Sequence, residues 1–369
     1  MAAGTATATG LRAPVPISGL RDISILRVAV ITALLLLVLF GLPILNSNFW
    51  IQVNTQVAVY AITALGLGLL MGRVGLVSLG QIAVLALGAW VGARLLFATG
   101  VPFAVVLVMT GLITMVLGTL IGLPALRLSG LYLALVTLML AGAIAVVLAS
   151  TDFPNGGSGF LGHQEGGTEA TSGAGTAETI RRPTIAESSD SYFRYTVIAT
   201  ALMFLLVLAH VRSKPGRAWA AIRQSEPAAL AAGVNVTLYK LWAFALAAFI
   251  TGIAGGLLAG ENGVLFNYQF PTEDSIILLA VVLMGGIYSI WGAIIAGAFM
   301  RLLPELLNNW GLPADLLIIL FGVGILQVLL TAPAGLIDQV PKDLRRLGRF
   351  LKRQVRGSPG QSADAAESG

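Results

Sequence analysis

The sequence predicts an all-α protein: a polytopic transmembrane helix bundle of about 8–10 crossings, with broken helices and an internal pseudo-repeat. Three observations carry this. Of the 369 residues, 57% are hydrophobic and 11% charged, against about 45–50% and about 25% in soluble domains. That little charge cannot cover a water-facing surface of this size. Apolar runs of membrane-spanning length recur between residues 27 and 331. Between them, basic and acidic residues segregate as in a chain oriented in a bilayer. Soluble enzyme, nucleic-acid binder and disordered chain are all poor descriptions. The net charge of +5 comes from bases at segment ends and in one tail.

Residues 1–26 form an amino-terminal segment with Arg12 and Arg21, assigned to the cytoplasm. Spans are predicted at 27–45, 53–71, 78–97, 102–122 and 129–150. The first is too long for a signal-peptide core, and Asn46 to Trp50 read as a membrane-interface loop. The loop 151–193 holds six acids against Arg181 and Arg182 and belongs outside. A span at 194–211 leads to the loop 212–237, with Arg212, Lys214, Arg217 and Arg223, which belongs inside. After a span at 238–260, the acidic loop 261–275 returns outside. The apolar stretch 274–303 divides at Gly285 to Ser289 into two short broken segments. A last span at 313–331 then brings both termini to the cytoplasmic side. The tail 332–369 is basic, partly disordered, and suited to anionic lipid. Residues 27–331 make up one transmembrane domain.

The missing chemistry is informative. With no cysteine and two histidines, thiolate sites, disulfides and histidine-rich metal sites are excluded, and no cofactor is expected. A membrane enzyme would need clustered His, Asp or Glu at one interface, and none is offered. No Asp, Glu, Lys or His falls near the middle of a clear span, which disfavours a proton-coupled carrier. Arg94 and Arg301 are placed near segment ends. A P-loop needs lysine after glycine, and none of Lys214, Lys240, Lys342 and Lys352 follows one. If ATP drives transport, the ATPase is a separate protein and this chain offers it a docking element.

The loop 212–237 suits that role. Arg217 to Gln224 has helical character, Ser225 or Glu226 caps a second short helix with Pro227 at its first position, and Gly233 suits a left-handed cap. Arg217, Arg223, Glu226, Ala229 and Gly233 are the candidate coupling residues, against the plainer reading of an ordinary positive-inside loop. Asn235-Val-Thr237 matches a glycosylation triplet by pattern only.

Two stretches look alike. Gly75-Leu-Val-Ser78-Leu-Gly80 is followed by Gly88-Ala89 and Arg94-Leu-Leu. Gly286-Ile-Tyr-Ser289-Ile-Trp-Gly292 is followed by Gly297-Ala298 and Arg301-Leu-Leu. Paired glycine-interrupted segments point to a transport path, whereas tight helix packing is the simpler reading of any single glycine.

The ordered set of Tyr60-Ala-Ile-Thr-Ala-Leu-Gly-Leu-Gly-Leu-Leu70, Gly75 to Gln81, Gly122 to Ala134, Asn155-Gly-Gly-Ser-Gly159, Gly216-Arg-Ala-Trp-Ala-Ala-Ile-Arg223, Ala228 to Lys240 and Gly285 to Gly292 resembles a known family. It is similar to the M-type permease subunits of ABC importers for branched-chain amino acids. The resemblance covers about 53 to 331. It implies a pseudo-dimer with a second homologous permease, two ATP-binding subunits on the coupling loop, and an external solute-binding protein that delivers the substrate. It also implies a bacterial cytoplasmic membrane and no enzymatic activity in this chain. Ser78, Gly80, Gln81, Ser289 and Gly292 become candidates for the translocation path, although both serines also read as helix caps. Asn155, Gly156, Gly157 and Ser158 become candidates for an outer gate or a binding-protein contact, or a plain turn. The chain departs from the family pattern at Pro154-Asn155, at Gln81, where the family often has His, and in the polar insertion 163–178. Urea, short amides and other amino acids therefore stand as alternative substrates, and a stand-alone secondary carrier as a remoter reading.

Overall fold

The structure, a computed structural model, describes residues 36–43, 47–98, 101–123, 128, 130–150, 182–183, 186–263, 265–311, 319–324 and 326. Every helix or turn there is of helical type, and no strand occurs among the described residues. The chain forms two units, Met1–Asn46 and Ser47–Gly369. In the first, residues 36–43 are helical. The outer-loop candidates Asn155 to Ser158, the insertion 163–178 and the tail 332–369 lie outside the described residues.

The second unit contains α1 (Asn48–Gly68, continued by a π-helical turn, Leu69–Val74), α2 (Gln81–Ala98), α3 (Phe103–Gly122), α4 (Leu131–Ser150) and α5 (Ser189–Arg212). Two short helices follow, α6 (Lys214–Gln224) and α7 (Glu226–Ala231), then α8 (Val236–Asn262), α9 (Asp274–Gly285) and α10 (Gly292–Asn309). Among the described residues, five helical stretches are long and apolar enough to cross a bilayer: Asn48–Val74, Phe103–Leu120, Leu131–Ser150, Ser189–Arg212 and Val236–Asn262. Two further apolar helices are shorter, Gln81–Leu96 and Asp274–Gly285.

Several boundaries differ from the sequence reading. The span expected from 53 starts at Asn48, where Ile51 N already donates to Ser47 O at 3.1 Å, so Asn48 to Trp50 form the first turn of α1 and not an interface loop. The span expected from 194 starts at Ser189, because the Ser188 hydroxyl accepts a bond from Ser191 N at 3.3 Å and caps the helix. The span expected from 78 starts at Gln81, because Gly75 turns the chain at φ +87° and residues 75–80 run without helical structure. The stretch 274–303 does divide, into α9 and α10, at Gly286 with φ +112°.

The core is organised around α8, which packs against α1, α2 and α3. In a bilayer, lipid is as apolar as leucine, so helices associate through close packing of small residues. A Cβ on Gly88 would stand 2.7 Å from Gly252 Cα, and one on Gly255 would stand 2.4 Å from Ala89 N. Against α3, a Cβ on Gly118 would stand 2.1 Å from Ala248 Cβ of α8. The outward faces of α3, α4 and α5 stay apolar and exposed at Leu112, Val116, Met139, Val146, Leu202 and Leu205. Such faces suit lipid or another membrane subunit.

One consequence is measurable. A Cβ on Gly92 would stand 3.0 Å from Gly256 Cα, on the same α2–α8 seam. The Gly92→Ala variant is expected to lose about 1–3 kcal/mol through overpacking, seen as a lower unfolding midpoint in detergent. An unchanged midpoint would show that the seam can open at no cost.

Candidate functional site

The two halves of the pseudo-repeat adopt related conformations. In each, a glycine at positive φ ends a helix: Gly75 at +87° and Gly286 at +112°. In each, the next helix begins at the sixth residue on, Gln81 or Gly292. Each new helix then lays a glycine on a long helix from the other half. Gly88 of α2 lies on Gly252 of α8, and Gly297 of α10 lies on Val57 and Ala61 of α1. The sequence showed the repeat; the exchange between halves appears only in three dimensions.

The breaks differ in how they satisfy their backbone. At the first, Gly75 N and Leu76 N both donate to Leu70 O at 3.0 Å, which closes the π turn. Leu79 N then donates to Thr137 Oγ1 of α4 at 2.9 Å, and Gly80 N to Ser78 Oγ at 3.4 Å. A membrane segment tolerates irregular backbone only when its polar groups find such partners. At the second, Ser289 N donates to Gly286 O at 3.2 Å and Gly292 N to Ser289 O at 3.1 Å, a succession of tight turns.

The breaks meet. A Cβ on Gly72 would stand 1.8 Å from Ile287 O, so the two backbones are in direct contact. Beside them opens a cleft of about 320 Å³, mouth included, lined by Gly68, Arg73, Val207, Gly286, Ser289 and Ala293 among others. Of the predicted path residues, Ser289 lines this cleft. Ser78 and Gln81 are buried at 4% and 3% exposure. The Gln81 amide donates to Thr251 Oγ1 of α8, in a spot where Gly66 leaves room for both side chains. Gly80 lies against Thr137 of α4, and Gly292 against the Gly285 and Gly286 carbonyls. The structure thus brings Ser289 to open space and packs the other four between helices.

The loop 212–237 is built as its capping signals require. The Ser225 hydroxyl accepts from Ala228 N at 3.4 Å and starts α7; Pro227 is its second residue, not its first. At the far end Gly233 has φ +78°, Gly233 N donates to Leu230 O, and Val234 N donates to Ala229 O. This is the paired bonding of a Schellman motif, which satisfies the last carbonyls of a helix. Asn235 of the apparent glycosylation triplet caps α8, its side chain accepting from Leu238 N at 3.1 Å. Trp219 is fully buried and donates Nε1–H to Tyr239 O at 2.8 Å, fixing α6 to α8. Lys240 is 3% exposed and paired with Glu226.

The five coupling candidates separate accordingly. Ala229 is buried at 2%, whereas its neighbours Ala228 and Ala231 are exposed and Leu230 is 59% exposed. Arg217 and Gly233 are exposed, and Glu226 is committed to Lys240. Arg223 turns its guanidinium toward the helix breaks, donating from Nη1 to Gly72 O at 2.6 Å.

Two polar clusters lay beyond the sequence reading. At the end of α8, Arg182 Nη2 binds the Glu261 carboxylate at 3.2 Å, and its Nε donates to Gly260 O at 3.3 Å. The guanidinium lies 4.9 Å from the Tyr192 ring centre, and the Tyr192 hydroxyl donates to Leu257 O at 2.6 Å. A cation thus sits on the carbonyl end of α8, where the helix dipole favours it. The only signal was one base and one acid in two separate loops. The second cluster corrects an expectation. Arg301 lies in the middle of α10, not near a segment end. There it donates from Nη2 to the Tyr60 hydroxyl at 3.0 Å. The helix runs on to Asn309 instead of ending at 303, which leaves Arg301 well inside it.

Comparison with known proteins agrees with this architecture. Residues 49–329 match the family described as branched-chain amino acid transport system / permease component. The chain is 29% identical over 322 residues, 84% of this chain and 75% of the relative, to the high-affinity branched-chain amino acid transport system permease protein LivM of Salmonella typhimurium. It is equally similar to LivM of Escherichia coli. No solved structure matches it. The helices are apolar and broken, and the family match spans both breaks and the loop 212–237: the chain belongs to the branched-chain amino acid transport system permease component family.

Proposed function

We propose that this chain is one permease subunit of an ATP-driven importer in the bacterial cytoplasmic membrane, with both termini cytoplasmic. With a second homologous permease it forms the path for branched-chain amino acids, which an external solute-binding protein delivers. Two ATP-binding subunits supply the energy, and the chain itself catalyses no reaction. The exposed α7 surface carries this reading: Pro227, Ala228, Leu230 and Ala231 stand out from a loop that Trp219, Ser225 and Gly233 hold rigid. Small apolar side chains on a fixed helix allow close seating in a partner groove. A chain without a P-loop needs such a seat.

Ser289 meets the passing zwitterion weakly beside the cleft, and Gly292 shapes the break it belongs to. Ser78, Gly80 and Gln81 hold the first break in place and act on the path through it. Asn155 to Ser158 serve as an outer gate or as a contact for the binding protein. Weak contacts suit a path whose selectivity resides in the binding protein, since tight binding would slow release.

The test is uptake of labelled leucine and labelled urea by cells lacking this chain, with and without its restoration, under ATP depletion. Restored leucine uptake that stops with ATP depletion is the expected result. Restored urea uptake alone would keep the importer and replace its substrate. Uptake that survives ATP depletion would overturn the mechanism.

A further inference from the structure

Arg223 stands between the docking surface and both chain breaks. It belongs to the last turn of α6, next to Ser225, which begins α7. Its Nη1 donates to Gly72 O at 2.6 Å. In an α-helix that carbonyl would accept from the backbone N–H four residues on. Here the π turn sends Leu76 N to Leu70 O instead. The guanidinium takes up a carbonyl at the end of α1, where the helix dipole favours a cation. From the same position its Cζ lies 4.4 Å from the centre of the Tyr288 ring, in the second break. Its stem lies against Gly75, on which a Cβ would stand 3.3 Å from Arg223 Cγ. One side chain thus touches the first break at two points and the second at one, at the place where Gly72 and Ile287 already meet.

We propose that Arg223 is the positioning residue that transmits movement of the coupling loop to both breaks together. This rests on the importer reading above. The planar guanidinium suits the role because one edge donates to a carbonyl while a face covers an aromatic ring. Trp219 ties α6 to the start of α8, and Glu226 ties α7 to Lys240 of the same helix, so a displacement of α7 by a partner moves the three together and carries Arg223 along instead of being absorbed in the loop. Arg223 then pulls on Gly72 and Tyr288 at once, and the cleft beside them opens or closes as a unit. An outward-facing arginine that merely contacts the ATPase would need neither bond.

The experiment uses the assembled transporter in lipid vesicles and three readouts: retention of the ATP-binding subunits, ATP hydrolysis, and uptake per ATP. Arg223→Met is expected to retain the subunits and hydrolyse ATP within about twofold of the parent, while uptake per ATP falls about tenfold, a typical coupling between sites. Tyr288→Leu is expected to behave likewise. Tyr288→Phe, which keeps the ring face, is expected to restore uptake to within about twofold. Unchanged uptake per ATP in Arg223→Met would overturn the proposal. Loss of the ATP-binding subunits in that variant would also overturn it, by making Arg223 a docking residue. So would a Tyr288→Phe variant as impaired as Tyr288→Leu. If the unaltered chain retains no ATP-binding subunit, the importer reading itself falls, an outcome visible before any variant is made.

Discussion

Replacing Gly72 by alanine is expected to abolish uptake and to lower the amount of folded protein. The added Cβ would stand 1.8 Å from Ile287 O and 2.9 Å from Ile287 C. Both are backbone atoms, so no side-chain rotation relieves the clash. The π turn and the 286–291 reversal must separate by more than an ångström, which also breaks the Arg223 bond to Gly72 O. Overpacking against movable side chains costs about 1–3 kcal/mol, and a clash of two backbones lies at or beyond the upper end. The control is four residues earlier on the same helix. Gly68→Ala makes the same chemical change where a Cβ would meet nothing within 4 Å. It is expected to keep the yield of folded protein and the unfolding midpoint near the parent's, since alanine is the better helix former by about 1 kcal/mol. Uptake and thermal unfolding of the two variants, measured side by side, decide the matter. A Gly72→Ala variant that transports normally would mean that the contact between the breaks is not needed.

The second large effect is expected from Gly233→Arg. Gly233 has φ +78°, and a Cβ there would meet nothing within 4 Å. The backbone strain of a non-glycine residue in this region costs about 1–2 kcal/mol. The side chain itself has room and does not disturb the membrane helices. What changes is the surface beside Ala231 and Ala232, which gains a long cation where a partner would sit closely. Membrane insertion is expected to stay at the parent level while uptake falls to background and ATP hydrolysis uncouples from it. Gly233→Ala carries the strain without the bulk and is expected to retain most of the uptake. If both variants fail equally, strain is the cause and the docking surface lies elsewhere. If Gly233→Arg transports normally, α7 is not the seat of the ATPase.

Much of this was legible in the chain, for reasons that are local. Bilayer-spanning helices declare themselves by apolar length. Ser225, Gly233 and Asn235 declare the ends of short helices, because capping is chemistry between residues a few positions apart. The break at Gly286 was visible for the same reason: glycine is the residue that enters positive φ without strain. The family match over 49–329 agrees with that level of description.

The side chains were not legible at that level. Gln81 and Ser289 are both polar, near a break and in matching repeats, yet one is bonded to Thr251 between helices and the other lines a cleft. Arg223 and Arg217 share one short basic helix, yet one reaches the breaks and the other stays in the open. These outcomes depend on contacts across 170 residues for Gln81 and 151 for Arg223. The sequence by itself determined most of the helices, the caps of the short ones and their membrane setting, because hydropathy, capping and backbone dihedrals act between near neighbours. Only the tertiary structure decided which polar groups pair and which face the cleft. That choice is made where helices distant in sequence approach within a glycine's width, and which glycine meets which backbone depends on how all the helices pack together.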